Sequence, residues 1–315
     1  FRNVTGVQTC ALPISRFIGD VKEGFHPSIA PRIVLRSRRG DYVHLQRRTF
    51  LTKAIGAAVV APSVARAQMA ARPVVGFLSS GWREDRQEQV QNFLKGLAVN
   101  GYAPDSNIAV EYAWAEDSDE RLLSLAAEMV RKRPAVIVAS TSTRAAQILK
   151  KETSDIPVVF CIGGDPVRNG LVASINRPGG NLTGVSYLTN YLAPKHLEVL
   201  RDLTPRLAKV GHLVNPANAN AAADAEAMVA AGRLIGSEIV RVDARDDAEL
   251  TTAFEAMRRQ GVDGFVTASD TVFLSKRRLI VELAARHRIA GVYDGREFTS
   301  AGGLASYGAN RPAAF

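Results

Sequence analysis

The sequence is poor in the residue types from which metal centres and most catalytic sites are made. It has two cysteines, Cys10 and Cys161, in 315 residues, with no CxxC pair and no His/Cys cluster at zinc-binding spacing. Cys161 follows Val158, Val159 and Phe160 and reads as a small buried hydrophobe. The five histidines (His26, His44, His196, His212 and His287) are scattered, with no i, i+4 pair, so a metal site is not expected. The glycine-rich fingerprints of dinucleotide and ATP sites are missing, and so is the GxSxG elbow of α/β hydrolases. No cofactor is expected. The apolar run at residues 54–64 is well short of the ~20 residues that a membrane-spanning helix requires.

What the chain has in excess is positive charge, a formal net +9, and its location decides its meaning. Residues 1–67 carry 11 Lys+Arg against 3 Asp+Glu, whereas residues 68–315 carry 29 against 28. A nucleic-acid surface needs its cations on the folded body, so no nucleic-acid partner is expected.

The basic leader divides in two. Residues 4–14, VTGVQTCALPI, resemble the translation of a sequencing-adapter oligonucleotide, and residues 1–42 are expected to be non-native or upstream translated sequence. No methionine precedes Met69, and Val43 is a candidate alternative start. Arg47-Arg48-Thr49-Phe50-Leu51 resembles a twin-arginine export signal. Lys53, the apolar run and Ala65-Arg66-Ala67 follow in the order of charged region, hydrophobic region and small-residue cleavage site. Residues 43–67 are therefore expected to direct export to the periplasm, leaving a mature protein that does not span the membrane.

From residue 73 onward, short β-branched runs alternate with amphipathic segments, the pattern of a parallel sheet wound on both faces. Strands are expected at 74–79, 108–113, 135–140, 157–161 and 183–186, with helices at 87–100, 119–132 and 143–151 and a short one at 166–175. The pattern restarts after residue 193. Helices are expected there at 194–203, 219–235, 248–260 and 274–287, and strands at 209–214, 238–242, 264–268, 291–293 and 304–307. This predicts two lobes, 73–186 and 193–303. The crossover between them lacks a Pro/Gly-rich linker and so suits a hinge. Residues 304–315 are expected to begin a C-terminal segment that continues past the last residue.

In open parallel sheets ligands bind beyond the carboxyl ends of the strands, and the loops there are polar in both halves. Candidate ligand contacts are Ser79 and Ser80 after the first strand, competing with turn chemistry. At Ser140, Thr141, Ser142 and Thr143 four hydroxyls precede a helix, where one would suffice as N-cap. Asp165, before Pro166, suits a helix N-cap as well as a contact. In the second half Asn215, and Asp270 beside Ser269 and Thr271, stand at equivalent places; a carboxylate at Asp270 could pair with a ligand ammonium or cap the next helix. Tyr187 is an aromatic candidate, as are Trp82, Phe273 and Phe298, and Glu297 follows the last clear strand.

Two stretches carry a family resemblance: Asp165-Pro166-Val167-Arg168-Asn169-Gly170-Leu171-Val172, and Pro178-Gly179-Gly180-Asn181-Leu182-Thr183-Gly184-Val185-Ser186. With Val75-Gly76-Phe77-Leu78, Asn215-Pro216 and Leu304-Ala305-Ser306-Tyr307-Gly308, they resemble ABC transporter substrate-binding proteins of the type that binds tryptophan, tyrosine or related amino acids. The resemblance implies a type I periplasmic binding protein fold: α/β, two Rossmann-like lobes, each a parallel sheet flanked by helices, joined by a hinge. It also implies a small-molecule ligand held between the lobes, delivery to an ABC permease in the inner membrane, and no catalysis. Two alternatives remain open on the residues alone. One is an exported α/β enzyme; the other is a ligand-sensing protein that feeds a membrane sensor.

Overall fold

The computed structural model describes residues 8–10, by their backbone, and 72–311. The stretches expected to be an export signal (43–67) and, apart from residues 8–10, non-native sequence (1–42) lie outside the described residues, as do 312–315.

A short strand, β1 (Gln8–Cys10), comes first. The first lobe then runs β2 (Val74–Ser79), α1 (Gln87–Val99), β3 (Ala109–Trp114), α2 (Asp119–Arg131), β4 (Val136–Ser140), α3 (Thr143–Glu152), β5 (Val158–Ile162) and β6 (Leu182–Ser186). A 3-10 turn at Thr189–Leu192 leads into α4 (Ala193–Leu203), β7 (Lys209–Val214), α5 (Ala221–Ile235), β8 (Glu238–Asp243) and α6 (Asp247–Arg259). The second lobe ends with β9 (Gly264–Thr267), α7 (Thr271–Ser275), α8 (Arg277–His287), β10 (Ala290–Tyr293), α9 (Arg296–Ser300) and β11 (Ala305–Ser306).

The parallel strands lie in the order β3-β2-β4-β5-β6 in one sheet and β8-β7-β9-β10-β11 in the other. β1 adds antiparallel to β6 at the outer edge of the first. Each lobe therefore has the same winding: its second strand flanks the first on one side and its third flanks it on the other. The order reverses between β2 and β4, and again between β7 and β9. At such a reversal successive connections leave toward opposite faces, and a crevice opens at the carboxyl ends. The loops there are those after Ser79, Ser140, Val214 and Thr267.

The inner strands β2, β4 and β5 are buried almost throughout, while the edge strands β3 and β8 are partly exposed. That is the expected result of covering both faces of a sheet with helices. Separate apolar clusters fill each face: Leu78, Ile137, Phe160 and Leu149 on one side of the first sheet, Phe77, Phe93 and Val138 on the other. The second sheet repeats this with Leu213, Phe254 and Phe265 against Leu197, Val210 and Val266. Both lobes place glycine at the third position of the first strand, Gly76 and Gly211, beneath a methionine from the corresponding helix. A Cβ would stand 2.6 Å from Met129 Sδ in one case and 2.5 Å from Met257 Sδ in the other.

Two expectations fail in detail. Residues 166–175 form a single turn instead of a helix. Asp165 Oδ1 accepts from the N–H groups of Val167 and Arg168 as an N-cap would, but Gly170 then adopts φ +66°. Its N–H bonds Val167 O while that of Leu171 bonds Pro166 O. That pair of bonds terminates a helix after one turn. The helix expected at 274–287 starts earlier, at Thr271, and divides at Lys276. Ser275 Oγ there lies 2.9 Å from Thr271 O, the i−4 position from which serine bends helices. The strands and the remaining helices fall within two residues of the expected bounds, and α9 is an addition to them.

Replacing Gly211 by alanine should cost about 1–3 kcal/mol by overpacking. Phe265 Cβ, 3.2 Å from the added carbon, cannot swing aside, whereas Met129 at Gly76 can. Urea unfolding of Gly211→Ala and Gly76→Ala should show the former as the more damaging; equal or negligible effects would contradict the packing described.

Candidate ligand-binding site

The crevices of the two lobes face each other across a cavity of about 270 Å³. The first lobe contributes Ser80, Arg86, Asp117, Thr141, Ser142, Thr143 and Tyr187 to its wall, and the second contributes Asn215, Asn218, Asn220, Ser269 and Asp270. Arg311, on the segment returning from the second lobe, completes it. Seven of the eleven candidate residues therefore meet at one place: Ser80, Thr141, Ser142, Thr143, Tyr187, Asn215 and Asp270. The other four (Ser79, Ser140, Asp165 and Glu297) are not in this wall.

Each of the four has another task or position. Ser79 is fully buried, and its Oγ accepts from Gly81 N–H at 3.3 Å. Asp165 caps the single turn described above. Glu297 lies 3.8 Å from Arg311 and supports it together with Asp294, whose carboxylate pairs directly with the same guanidinium. Ser140 is buried with its Oγ unpaired. Of the other aromatic residues, Phe273 and Phe298 are core residues with no exposure, and Trp82 is 42% exposed and bonds Asp117.

Within the cavity some polar groups are already engaged. Ser142 Oγ caps α3 by accepting from Ala145 N–H at 3.1 Å. Thr143 Oγ1 accepts from Asn220 Nδ2 across the cleft, also at 3.1 Å. Asp270 Oδ1 caps α7 through Val272 and Phe273 N–H, and its carboxylate also accepts from Asn215 and Asn218, the latter at 2.7 Å. Burial nonetheless pushes the pKa of Asp270 above the usual carboxylate range, against the lowering effect of these bonds. The Tyr187 hydroxyl donates to Arg311 O at 3.0 Å and lies 2.9 Å from Cys161 Sγ. Burial drives the Cys161 thiol to about 12, so it remains a protonated donor.

Others are not engaged. Ser80 Oγ, Arg86 Nε, Asp117 Oδ1 and Thr141 Oγ1 are buried without hydrogen-bond partners among the described residues. Thr141 is also held at φ +57°, a left-handed conformation uncommon for a β-branched residue and often retained at binding sites. Four unsatisfied buried groups on one cavity are unusual, because such groups each cost about 1–3 kcal/mol. Sequence reasoning missed Arg86, Asp117 and Arg311, and left Asn218 and Asn220 off the candidate contacts. Asn218 and Asn220 carried a signal as amides clustered at a strand end; the charged residues carried none, since charged loop side chains are usually solvated.

The lobes are joined across the mouth. Asn169 Nδ2 donates to Asn220 Oδ1 at 3.0 Å, and Ser275 Oγ donates to Asp117 Oδ2 at 2.6 Å. Arg168–Glu226 (2.5 Å), Asp85–Arg277 (2.6 Å) and Glu88–Arg296 add ion pairs. Arg168, Glu226, Glu88 and Arg296 are largely exposed, so their pairs contribute little. Asp85–Arg277, with side chains 15% and 26% exposed, is the better sheltered.

Beside the crossover turn, Asn190, His196, His212, Asp224 and Asp294 line a second, much smaller space. Burial, with repulsion from Asp294 and Asp270, raises Asp224 to about 7, and burial lowers His212 to about 3. Among the described residues no group of three or more His, Cys, Asp or Glu could hold a metal ion, and no helix is long and apolar enough to cross a membrane.

The family profile described as ABC transporter substrate binding protein matches residues 81–313. The chain belongs to that family. It is 27% identical over 219 residues to a tyrosine-binding protein of Clostridioides difficile, an alignment covering 69% of this chain and 62% of that protein's length. A conserved domain protein from Vibrio cholerae superposes with TM-score 0.71 at 25% identity, covering 76% of this chain and 80% of that one. An ABC domain from Streptococcus pneumoniae in complex with L-Trp superposes with TM-score 0.70 at 23% identity, covering 77% and 80%. Relatives of this substrate-binding protein are binding proteins, not enzymes, and the fold of two parallel five-strand sheets flanked by helices is theirs.

Two outcomes test this geometry. A Cβ on Gly164 would fall 1.9 Å from Asn220 Oδ1 of the opposite lobe. Gly164→Ala should therefore prop the cleft open and weaken ligand binding by about tenfold or more while leaving each lobe folded. Unchanged affinity in calorimetry would contradict the closed geometry.

The pH dependence has a defined sign. Asp224 keeps its proton to about pH 7 when folded but only to about 3.8 when unfolded, so its contribution is lost as pH rises through that window. His212, shifted from 6.5 to about 3, loses its contribution as pH falls below 6.5. Asp224→Asn removes the first effect alone. Its stability relative to the parent should grow from about pH 4 to pH 7, by up to about 1.4 kcal/mol per unit, and level off above. Urea unfolding at pH 5 and pH 8 that gave the same difference would contradict a buried, protonated Asp224.

Proposed function

We infer that this protein is the extracytoplasmic receptor of an ABC importer, closing its two lobes on an amino acid or related solute and delivering it to a membrane permease. The observation that supports this best is the cavity itself, where hydroxyl, amide and charged groups from both lobes converge and several have no partner among the described residues. A small polar ligand would satisfy them only in the closed state, so ligand binding would favour closure. Ser80, Thr141, Tyr187, Asn215 and Asp270 are the proposed contacts among the residues singled out by sequence, with Asn218 and Asn220 added. The relatives named for tyrosine and for a tryptophan complex make an aromatic amino acid the first choice. The twin-arginine signal read at residues 43–67 supports export to the periplasm.

Thermal unfolding of the purified protein with single solutes tests this directly. At a hundredfold excess over the dissociation constant a ligand adds about 2.7 kcal/mol, which raises Tm by about 5 °C or more for a chain of this size. L-Tyr, L-Trp or another amino acid should do so, and Asp270→Ala should weaken that binding by about tenfold or more. No shift with any amino acid would reject the amino-acid reading.

A further inference from the structure

Arg86 is the largest fully buried side chain among the described residues, 1% exposed, and it lines the cavity between the lobes. Among the described residues its Nε has no hydrogen-bond partner and no carboxylate forms an ion pair with it. Space for the guanidinium is reserved by Gly81, whose missing Cβ would stand 2.9 Å from Arg86 Nη2. Of the neighbouring acidic residues, Asp85 is committed elsewhere and Asp117 through one oxygen only, its Oδ1 having no partner among the described residues. Asp85 pairs with Arg277 at 2.6 Å, and Asp117 accepts from Ser275 through Oδ2, acting on Arg86 only through space.

Arg311 supplies the contrast. It is also buried and lines the same cavity, but Asp294 and Glu297 neutralise it. An arginine cannot relieve its burial by giving up its proton, and a lone buried cation is strongly unfavourable. Burial, followed by repulsion from Arg311, depresses the pKa of Arg86 below its ordinary value, which marks the same deficit of negative charge. Of the four hydroxyls expected to hold an anion at the start of α3, Ser142 is used by the helix cap and Thr143 by Asn220, while Thr141 Oγ1 has no partner among the described residues.

We propose that Arg86 is the receptor for a carboxylate on the ligand, with the unpaired hydroxyls of Ser80 and Thr141 as its companions. The class of solute is thereby narrowed to small carboxylates and excludes neutral sugars and nucleosides. This rests on the reading of the cleft as a solute site, and it assigns the specificity-determining residue within it.

The test screens the full chain by thermal shift and calorimetry against three panels: amino acids, the matching 2-oxo acids without the amine, and neutral sugars and nucleosides. Hits are expected only among carboxylates, and the carboxamide of a hit, such as L-tyrosinamide for L-tyrosine, should bind about 100-fold more weakly. Hits confined to the oxo acids would reject an amino-acid ligand yet uphold Arg86. Neutral hits, silence of both carboxylate panels, or a carboxamide that binds as well as its acid would overturn the proposal. Arg86→Met should lose about 100-fold in affinity while the ligand-free protein gains thermal stability, and Arg86→Lys should fall between. If Arg86 served only to pair with Asp117, Arg86→Met would lower ligand-free stability, and that result would also overturn the assignment.

Discussion

The structure depends on one constraint: polar groups at the carboxyl ends of two parallel sheets are brought face to face and removed from water. Parallel strands buried on both faces can present side chains to a ligand only at their ends. The strand order places a crevice between β2 and β4 in one lobe and between β7 and β9 in the other. Because both lobes share this winding, their openings can be set opposite each other by a short crossover. The cleft is thus a consequence of topology before it is a consequence of any particular residue.

The polar groups in the cleft divide by whether the protein satisfies them. Asp270, Asn215, Asn218 and Asn220 form a connected set in which caps, turns and cross-cleft bonds hold the amides in place. Such a network fixes direction and resists rotation, as a binding surface requires. Ser80, Arg86, Asp117 and Thr141 instead retain unpaired atoms. Their cost is tolerable only if something else completes them, and the held geometry around them means that a ligand need not reorganise the site. The charge of Arg86 weighs most among them, because no carboxylate among the described residues forms a direct ion pair with it.

Much of the architecture was legible because burial on both faces leaves a plain signal. Residues 136–139 and Val158–Ile162 are continuous apolar runs, and the helices that flank the strands carry a clear 3.6-residue period. The failures have local causes. Asp165-Pro166 is a sound helix start, but nothing before Gly170 announced that glycine would end the helix after one turn. Ser142 and Thr143 do stand at a helix N-terminus as their spacing suggested, yet which of four hydroxyls would cap and which would stay free depended on Asn220, more than seventy residues away. Arg86 and Asp117 were invisible for the same reason. A charged loop residue becomes a buried site residue only when a second lobe closes over it, and no local pattern encodes that approach.

The most direct measurement is a crystal structure of the protein with its solute bound. Ligand oxygen or nitrogen atoms within about 3.2 Å of Ser80 Oγ, Thr141 Oγ1 and the Arg86 guanidinium are expected, with both lobes in contact with the same molecule. A solute seated outside the interlobe cavity, with those three groups paired to one another or to Asp117, would contradict the central claim.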